Sequence, residues 1–225
     1  VDPYNYGELL GPVADAAQPY RIVVHPQVGF ICDVHSHLSN AEVIGLLAGR
    51  WAPEENCLYI QAPFPCTATD RAHDMGYTDV ELDPEAEWTV RQTIEAMGMK
   101  VVGWYHSHPQ FKPNPSVTDI FNQQQYQTYT RDEVTGVEAF VGLIISTYDS
   151  QLTSAAAHHQ WFTVVNHSPD AAKQQPLYMP VRMEVQYYSF DLKSFYEKFG
   201  YSSADGSDDA NDANGNDGHE YAAAE

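Results

Sequence analysis

Basic side chains are scarce in this sequence: 11 Lys and Arg stand against 31 Asp and Glu in 225 residues, a formal net charge of −20. Such a chain lacks the footprint that neutralises phosphates, so direct nucleic-acid binding is not expected; basic partners are favoured instead by long-range steering. Cysteine is scarcer still. Cys32, Cys57 and Cys66 are odd in number and form no C-x-x-C pair. That excludes a disulfide framework and a cysteine zinc site, and points to a reducing compartment, nuclear and/or cytoplasmic. Long apolar runs are missing: the longest, Phe140 to Ile145, is far short of the roughly 18 residues that a membrane span needs, so no membrane association is expected. No apolar leader follows Val1, so a signal peptide is expected to be absent or already removed.

What is present suits one good-sized core, with 43% hydrophobic residues over this length. Residues 1–19, rich in Pro, Ala and Gly, read as a loosely packed lead-in, and 20–200 as the folded domain. Residues 201–225 carry seven acids and no Lys or Arg; without an apolar stripe, this tail is expected to be disordered.

Within the domain, helical and strand patterns interleave. Arg21 to His25 is a short strand-like run, and Pro26 suits the first turn of a helix with Val28, Ile31, Val34, His35 and Leu38 on one face. Ala41–Trp51 and Cys57–Pro65 read as strands joined by Pro53-Glu54-Glu55-Asn56. Thr67 to Val80 is polar and reads as a loop or insertion. Asp83-Pro84 opens a second helix, with Trp88, Ile94 and Met97 as its apolar positions and Gly98 as its end. The spacing then predicts a strand over Lys100–His108, a helix from Ser116 to about Arg131, and a central strand over Glu138–Thr147. Further strands are expected around Ala157–Asn166 and Tyr178–Tyr188, and a short helix around Leu192–Phe199. The fold class is therefore α/β, with helices flanking one mixed sheet.

The densest chemistry lies in His106-Ser107-His108, seven further residues, then Ser116-Val117-Thr118-Asp119. Residues two apart on a strand share a face, so His106 and His108 can converge on one ion; residues three apart on a helix do the same for Ser116 and Asp119. Two imidazoles and a carboxylate leave a fourth position for water, the arrangement of a catalytic zinc. The same set would suit a two-His-one-carboxylate iron site. Each half also has a plain reading: H-x-H pairs are common on surfaces and in cores, and Ser116-x-x-Asp119 is a helix capping box. Glu42, at the mouth of the apolar strand beginning Ala41-Glu42-Val43-Ile44, is the upstream acid; alone it reads as a solvated strand end.

Other candidates carry less. His35-Ser36-His37 cannot bite one ion from a helix, where residues two apart lie about 200° apart; His35 reads as packed and His37 as solvent-facing. His158-His159 points to opposite faces of a strand, and His73 lies in the polar insertion. Trp104 should share the face of His106, with Tyr105 packed away from it, and Asn122-Gln123-Gln124-Gln125 reads as a solvated helix face.

Together, Ala41-Glu42-Val43-Ile44-Gly45-Leu46-Leu47, Gly103-Trp104-Tyr105-His106-Ser107-His108-Pro109 and Pro115-Ser116-Val117-Thr118-Asp119 resemble the MPN domain of the JAMM metalloproteases, which show a Glu, H-x-H, seven residues and S-x-x-D. The likeness runs from about Arg21 to Tyr188. It is greatest to the nuclear subgroup exemplified by the Myb-SWIRM-MPN histone deubiquitinase and its MPN-domain-containing relative, and extends to the stretch around Asp33-Val34-His35-Ser36-His37. It implies a single MPN domain of the cytidine-deaminase-like type and one zinc per chain, held by His106, His108 and Asp119. It also implies that Glu42 moves a proton from water to the leaving lysine amine, and that Ser116 steadies the water or the developing oxyanion. The implied activity is a deubiquitinase: a zinc isopeptidase acting on ubiquitin or ubiquitin-like conjugates, with chromatin or a scaffold protein as partner by analogy. A non-catalytic MPN scaffold, or a hydrolase of another modifier, are the competing readings.

Overall fold

Runs of β-branched, aliphatic and aromatic residues between turn formers build the strands of this protein. The computed structural model describes residues 18–69, 82–150, 156–166 and 178–188. The strands are β1 (Arg21–Val24), β2 (Ile44–Ala52), β3 (Cys57–Cys66), β4 (Lys100–His108), β5 (Val141–Ser146), β6 (His158–Asn166), β7 (Tyr178–Arg182) and β8 (Gln186–Tyr187). The helices are α1 (Pro26–His37), α2 (Pro84–Ala96) and α3 (Val117–Tyr129). The expectations for the lead-in before Gln18, His73, the Leu192–Phe199 helix and the acidic tail lie outside the described residues.

The strands form one mixed sheet in the order β7-β6-β5-β4-β2-β3-β1-β8. β2 is antiparallel to both β3 and β4, and β4 runs parallel to β5. The run expected as one strand over Tyr178–Tyr188 is two: β7 pairs with β6 at one edge, and β8 pairs with β1 at the other. Arg182 and Gln186 are four residue steps apart, at most about 14 Å of chain, so the sheet must curl until its edges approach.

Its two faces carry separate cores. On one, α1 contributes Val28 and Cys32 to a cluster with Leu47, Ile60, Tyr105, Leu143 and Ile145. On the other, Ile94 of α2 and Ile120 and Tyr126 of α3 join Ile44, Leu46, Trp104, Ile144 and Phe162. Alternation along β4 thus sends Trp104 to the α3 face and Tyr105 to the α1 face, as expected.

The buried stripe of α1 is not the one its large residues predict. Val28, Gly29, Cys32 and Ser36 face the sheet, while Phe30, Ile31, Val34 and Leu38 are exposed, Leu38 at 77%. Small side chains allow the close approach, and the Ser36 hydroxyl donates to the Cys32 carbonyl (2.8 Å). α2 likewise buries Ile94, whereas Trp88 and Met97 are exposed. Its N-terminus is capped by Asp83, whose carboxylate accepts from the amides of Glu85 and Ala86.

Candidate metal centre

The expected ligands meet where the end of β4 faces the start of α3. Nε2 of His106 and Nε2 of His108 face each other at 3.0 Å. The Asp119 oxygens lie 3.3 Å from His106 Nε2 and 3.7 Å from His108 Nε2. All three residues are buried, at 1%, 8% and 7% exposure. A tetrahedral ion about 2.0–2.1 Å from each donor sets its ligands about 3.3–3.4 Å apart, so the spacing suits a zinc-sized ion. Among the described residues, these three form the one group of His, Cys, Asp and Glu whose donor atoms all lie within 4.8 Å of one another.

Neighbouring bonds hold each ligand in place. His108 Nδ1 lies 3.0 Å from the Lys112 carbonyl; a carbonyl only accepts, so Nδ1 carries the proton and Nε2 of the neutral ring keeps its lone pair for a metal. The Trp104 ring stacks on His106, centroids 4.7 Å apart and planes 12° apart. Trp104 Nε1 in turn donates to Gln123 Oε1 (2.8 Å), and Gln123 Nε2 donates to the Phe140 carbonyl (2.9 Å) and to Gln127 Oε1 (2.9 Å). Gln123 is completely buried, which corrects its expected place on a solvated face; a polar run hides a residue whose partners lie on other elements.

Asp119 is set by the start of α3. Ser116 caps the helix, its hydroxyl accepting from the Asp119 amide (3.0 Å), while Asp119 Oδ2 accepts from the Ser116 amide (2.6 Å). The capping box and the metal-ligand reading are therefore the same structure: reciprocal capping aims the carboxylate at the imidazoles. Because the Ser116 hydroxyl accepts from an amide, its own hydrogen is available to donate elsewhere.

Glu42 reaches the same place by strand register. Ile44 pairs with His106. Beyond the strand end, the Ser107 amide donates to the Val43 carbonyl (3.0 Å) and the Val43 amide donates to Ser107 Oγ (2.9 Å). One step further, the register sets half-buried Glu42 opposite His108. Ser107 was not singled out from sequence, although its place between two ligands was the available signal.

The charges interlock. Burial would lower the His108 pKa, but the Asp119 carboxylate and then Glu42 outweigh it and raise the pKa. Burial would raise the pKa of Asp119; His106 and His108 outweigh that and hold its carboxyl well below the usual range. The centre is thus an anionic carboxylate between two imidazoles with a second carboxylate at the rim. Such a donor set can hold a divalent ion and present it to a carbonyl with a base and a hydroxyl donor nearby.

The other histidines lie elsewhere. His35, half-buried, is 2.9 Å from the Tyr105 hydroxyl through Nδ1. His37 is not simply solvent-facing: its Nδ1 donates to the Asp33 carbonyl (2.8 Å), and its ring meets the edge of Tyr148. His158 is exposed and His159 half-buried on β6.

Comparison with known proteins agrees with this architecture. The chain is 34% identical over 176 residues to human deubiquitinase MYSM1, an alignment covering 75% of this chain and 19% of that one. It is 35% identical over 148 residues to the Xenopus laevis histone deubiquitinase MYSM1 (66% and 17%). With a zebrafish MPN domain-containing protein the figures are 30% over 187 residues (83% and 39%). The chain thus spans about a fifth of the length of the MYSM1 relatives. The solution structure of protein DSY2949 from Desulfitobacterium hafniense shares the fold, with a TM-score of 0.51, 18% identity and coverage of 75% of this chain and 94% of that one. The family described as JAB1/Mov34/MPN/PAD-1 ubiquitin protease matches residues 17–132, and the chain belongs to that family.

Proposed function

We propose that this domain is a zinc-dependent isopeptidase that hydrolyses ubiquitin or ubiquitin-like conjugates. The observation that carries the reading is the convergence of His106 Nε2, His108 Nε2 and an Asp119 oxygen within 4.8 Å, buried, with Glu42 near enough to raise the His108 pKa. His106, His108 and Asp119 would hold one zinc per chain. When bound there, zinc supplies Lewis acidity toward a carbonyl and lowers the pKa of a coordinated water.

The chain's own groups do the rest. Glu42 accepts a proton from the attacking water and returns it to the departing lysine amine, general acid–base work of the kind that contributes about 10²–10⁴-fold. The Ser116 hydroxyl, already fixed by the Asp119 amide, donates toward the carbonyl oxygen as charge develops there. Trp104 and the Lys112 carbonyl keep the two imidazoles oriented throughout.

Relatives named as histone deubiquitinases and the net charge of −20 direct the reading toward ubiquitin attached to basic chromatin proteins, and so toward the nucleus, with the cytoplasm as the other compartment in which thiols stay reduced.

The test is a Glu42→Gln variant assayed for zinc and for cleavage of ubiquitin chains. Zinc content should stay at the wild-type level while turnover falls by about 10²-fold or more. A metal-loaded variant with full activity would remove Glu42 from the mechanism; loss of zinc along with activity would make Glu42 a ligand instead of a base.

A further inference from the structure

One group of ionisable side chains lies outside the candidate metal centre and has no part in its chemistry. Asp33, on α1, places Oδ1 3.6 Å from His37 Nδ1 and 3.6 Å from His159 Nε2, both beyond hydrogen-bond reach. That oxygen is buried and accepts no hydrogen bond. His37 Nδ1 is committed to the Asp33 backbone carbonyl. Burial lowers the His159 pKa more than Asp33 raises it, so the ring is neutral at neutral pH. The Asp33 side chain as a whole is 37% exposed, so a cation arriving from solvent can reach this carboxylate and pair with it.

Space for one adjoins it. A cavity of about 430 Å³ is lined by Asp33, His159, Phe30 and Tyr187, among others. Phe30 is 70% exposed and Tyr187 49%, so two aromatic rings stand at a cavity that holds a carboxylate, a combination that suits ammonium or guanidinium groups. Ile31, Val34 and Leu38 extend an exposed apolar surface along α1 from Phe30. A metal ion is the poorer occupant, because among the described residues only His106, His108 and Asp119 bring three donor atoms within 4.8 Å. The net charge of −20 attracts a basic chain as a whole.

We propose that the cavity between α1 and β6 receives an arginine or lysine side chain from a basic segment of a partner polypeptide, its charge on Asp33 and its stem against Phe30 and Tyr187. This docking site is independent of zinc and of the isopeptidase reading. The exposed apolar residues of α1 would take the partner's neighbouring side chains.

The probe is a fluorescein-labelled eight-residue peptide of alternating Arg and Ala, with Lys/Ala and Gln/Ala peptides beside it, titrated by anisotropy against the full chain. The Arg and Lys peptides should bind and the Gln peptide should not. Asp33→Asn and Phe30→Ser should each weaken binding about fivefold or more. Glu54→Gln, which removes an exposed acid on another turn, should change it less than about twofold, an exposed charge being worth little. Zinc content and cleavage should be unaltered in Asp33→Asn. Phe30 is a surface residue, so Phe30→Ser keeps the test intact should Asp33→Asn fail to fold. No binding by the wild type, or equal loss from Glu54→Gln, would overturn the proposal, as would unchanged binding in the folded Asp33 and Phe30 variants.

Discussion

At the residue scale, the two imidazoles of the candidate metal centre are held by different means. A backbone carbonyl fixes the tautomer of His108, whereas an indole face and a glutamine hold His106. The H-x-H and S-x-x-D spacings made the meeting of His106, His108 and Asp119 legible, because the periods of strand and helix dictate which side chains share a face. Gln123 was not legible: its bonds run to β4 and to the segment before β5, and a run of amides resembles a solvated face until those elements are in place. Gln123→Leu keeps the volume but leaves the Trp104 N–H unpaired, which costs about 1–3 kcal/mol. Thermal denaturation should show a midpoint several degrees lower, and a competitive chelator should remove zinc more readily, since outer-shell partners are worth about 10–100-fold in metal affinity. An unchanged midpoint and chelator titration would show that the Gln123 bond to Trp104 contributes nothing to holding His106.

At the element scale, the candidate base lies two residues before β2 and two of the three candidate ligands lie on β4, so their placement depends on the register of β2 and β4. Gly45 sits at their contact: an added Cβ would lie 2.6 Å from the Phe64 carbonyl oxygen and would collide with the Tyr105 ring. Gly45→Ala should therefore cost about 1–3 kcal/mol, read by urea unfolding. It should lower cleavage more than zinc content, because β2 shifts while the His106–Asp119 set stays on β4 and α3. Equal losses of both would mean that the ligands move with β2. Element positions followed closely from sequence, as with Asp83 at the start of α2 and Pro26 at the start of α1. Helix faces did not. On α1 the expected Val28 is buried, but the rest of the buried stripe is Gly29, Cys32 and Ser36 in place of Ile31, Val34 and Leu38, because close packing on a curled sheet selects size over hydrophobicity. The division of Tyr178–Tyr188 between opposite sheet edges was equally hidden, since strand propensity does not say which neighbour a strand will choose.

At the scale of the whole molecule, stability and metal binding should respond to pH in opposite directions. In the metal-free protein the Asp119 carboxyl is depressed, so its contribution is present above the unfolded value of about 3.9 and is lost as pH falls through the folded one. The His108 pKa is raised above its ordinary 6.5, so its contribution is complete below that value and is lost as pH rises through the folded one. Zinc, by contrast, requires neutral imidazoles and competes with that raised proton affinity. Acidification from about pH 8 should therefore weaken zinc binding already above about pH 6.5, while the chelated protein gains stability from His108 over the same interval. Zinc titrations and thermal scans of chelated protein across that range measure both; zinc affinity independent of pH would place the metal on other groups.

The central claim is that one zinc, held by these three side chains, drives hydrolysis of ubiquitin conjugates. Its most direct test is the zinc content of purified protein beside an Asp119→Ala variant, with ubiquitin-chain cleavage assayed on the same samples. About one zinc per chain in the wild type, lost in the variant together with cleavage, is the predicted result. A wild-type protein that carries no zinc when prepared without chelator, or a variant that keeps both zinc and cleavage, would contradict the account.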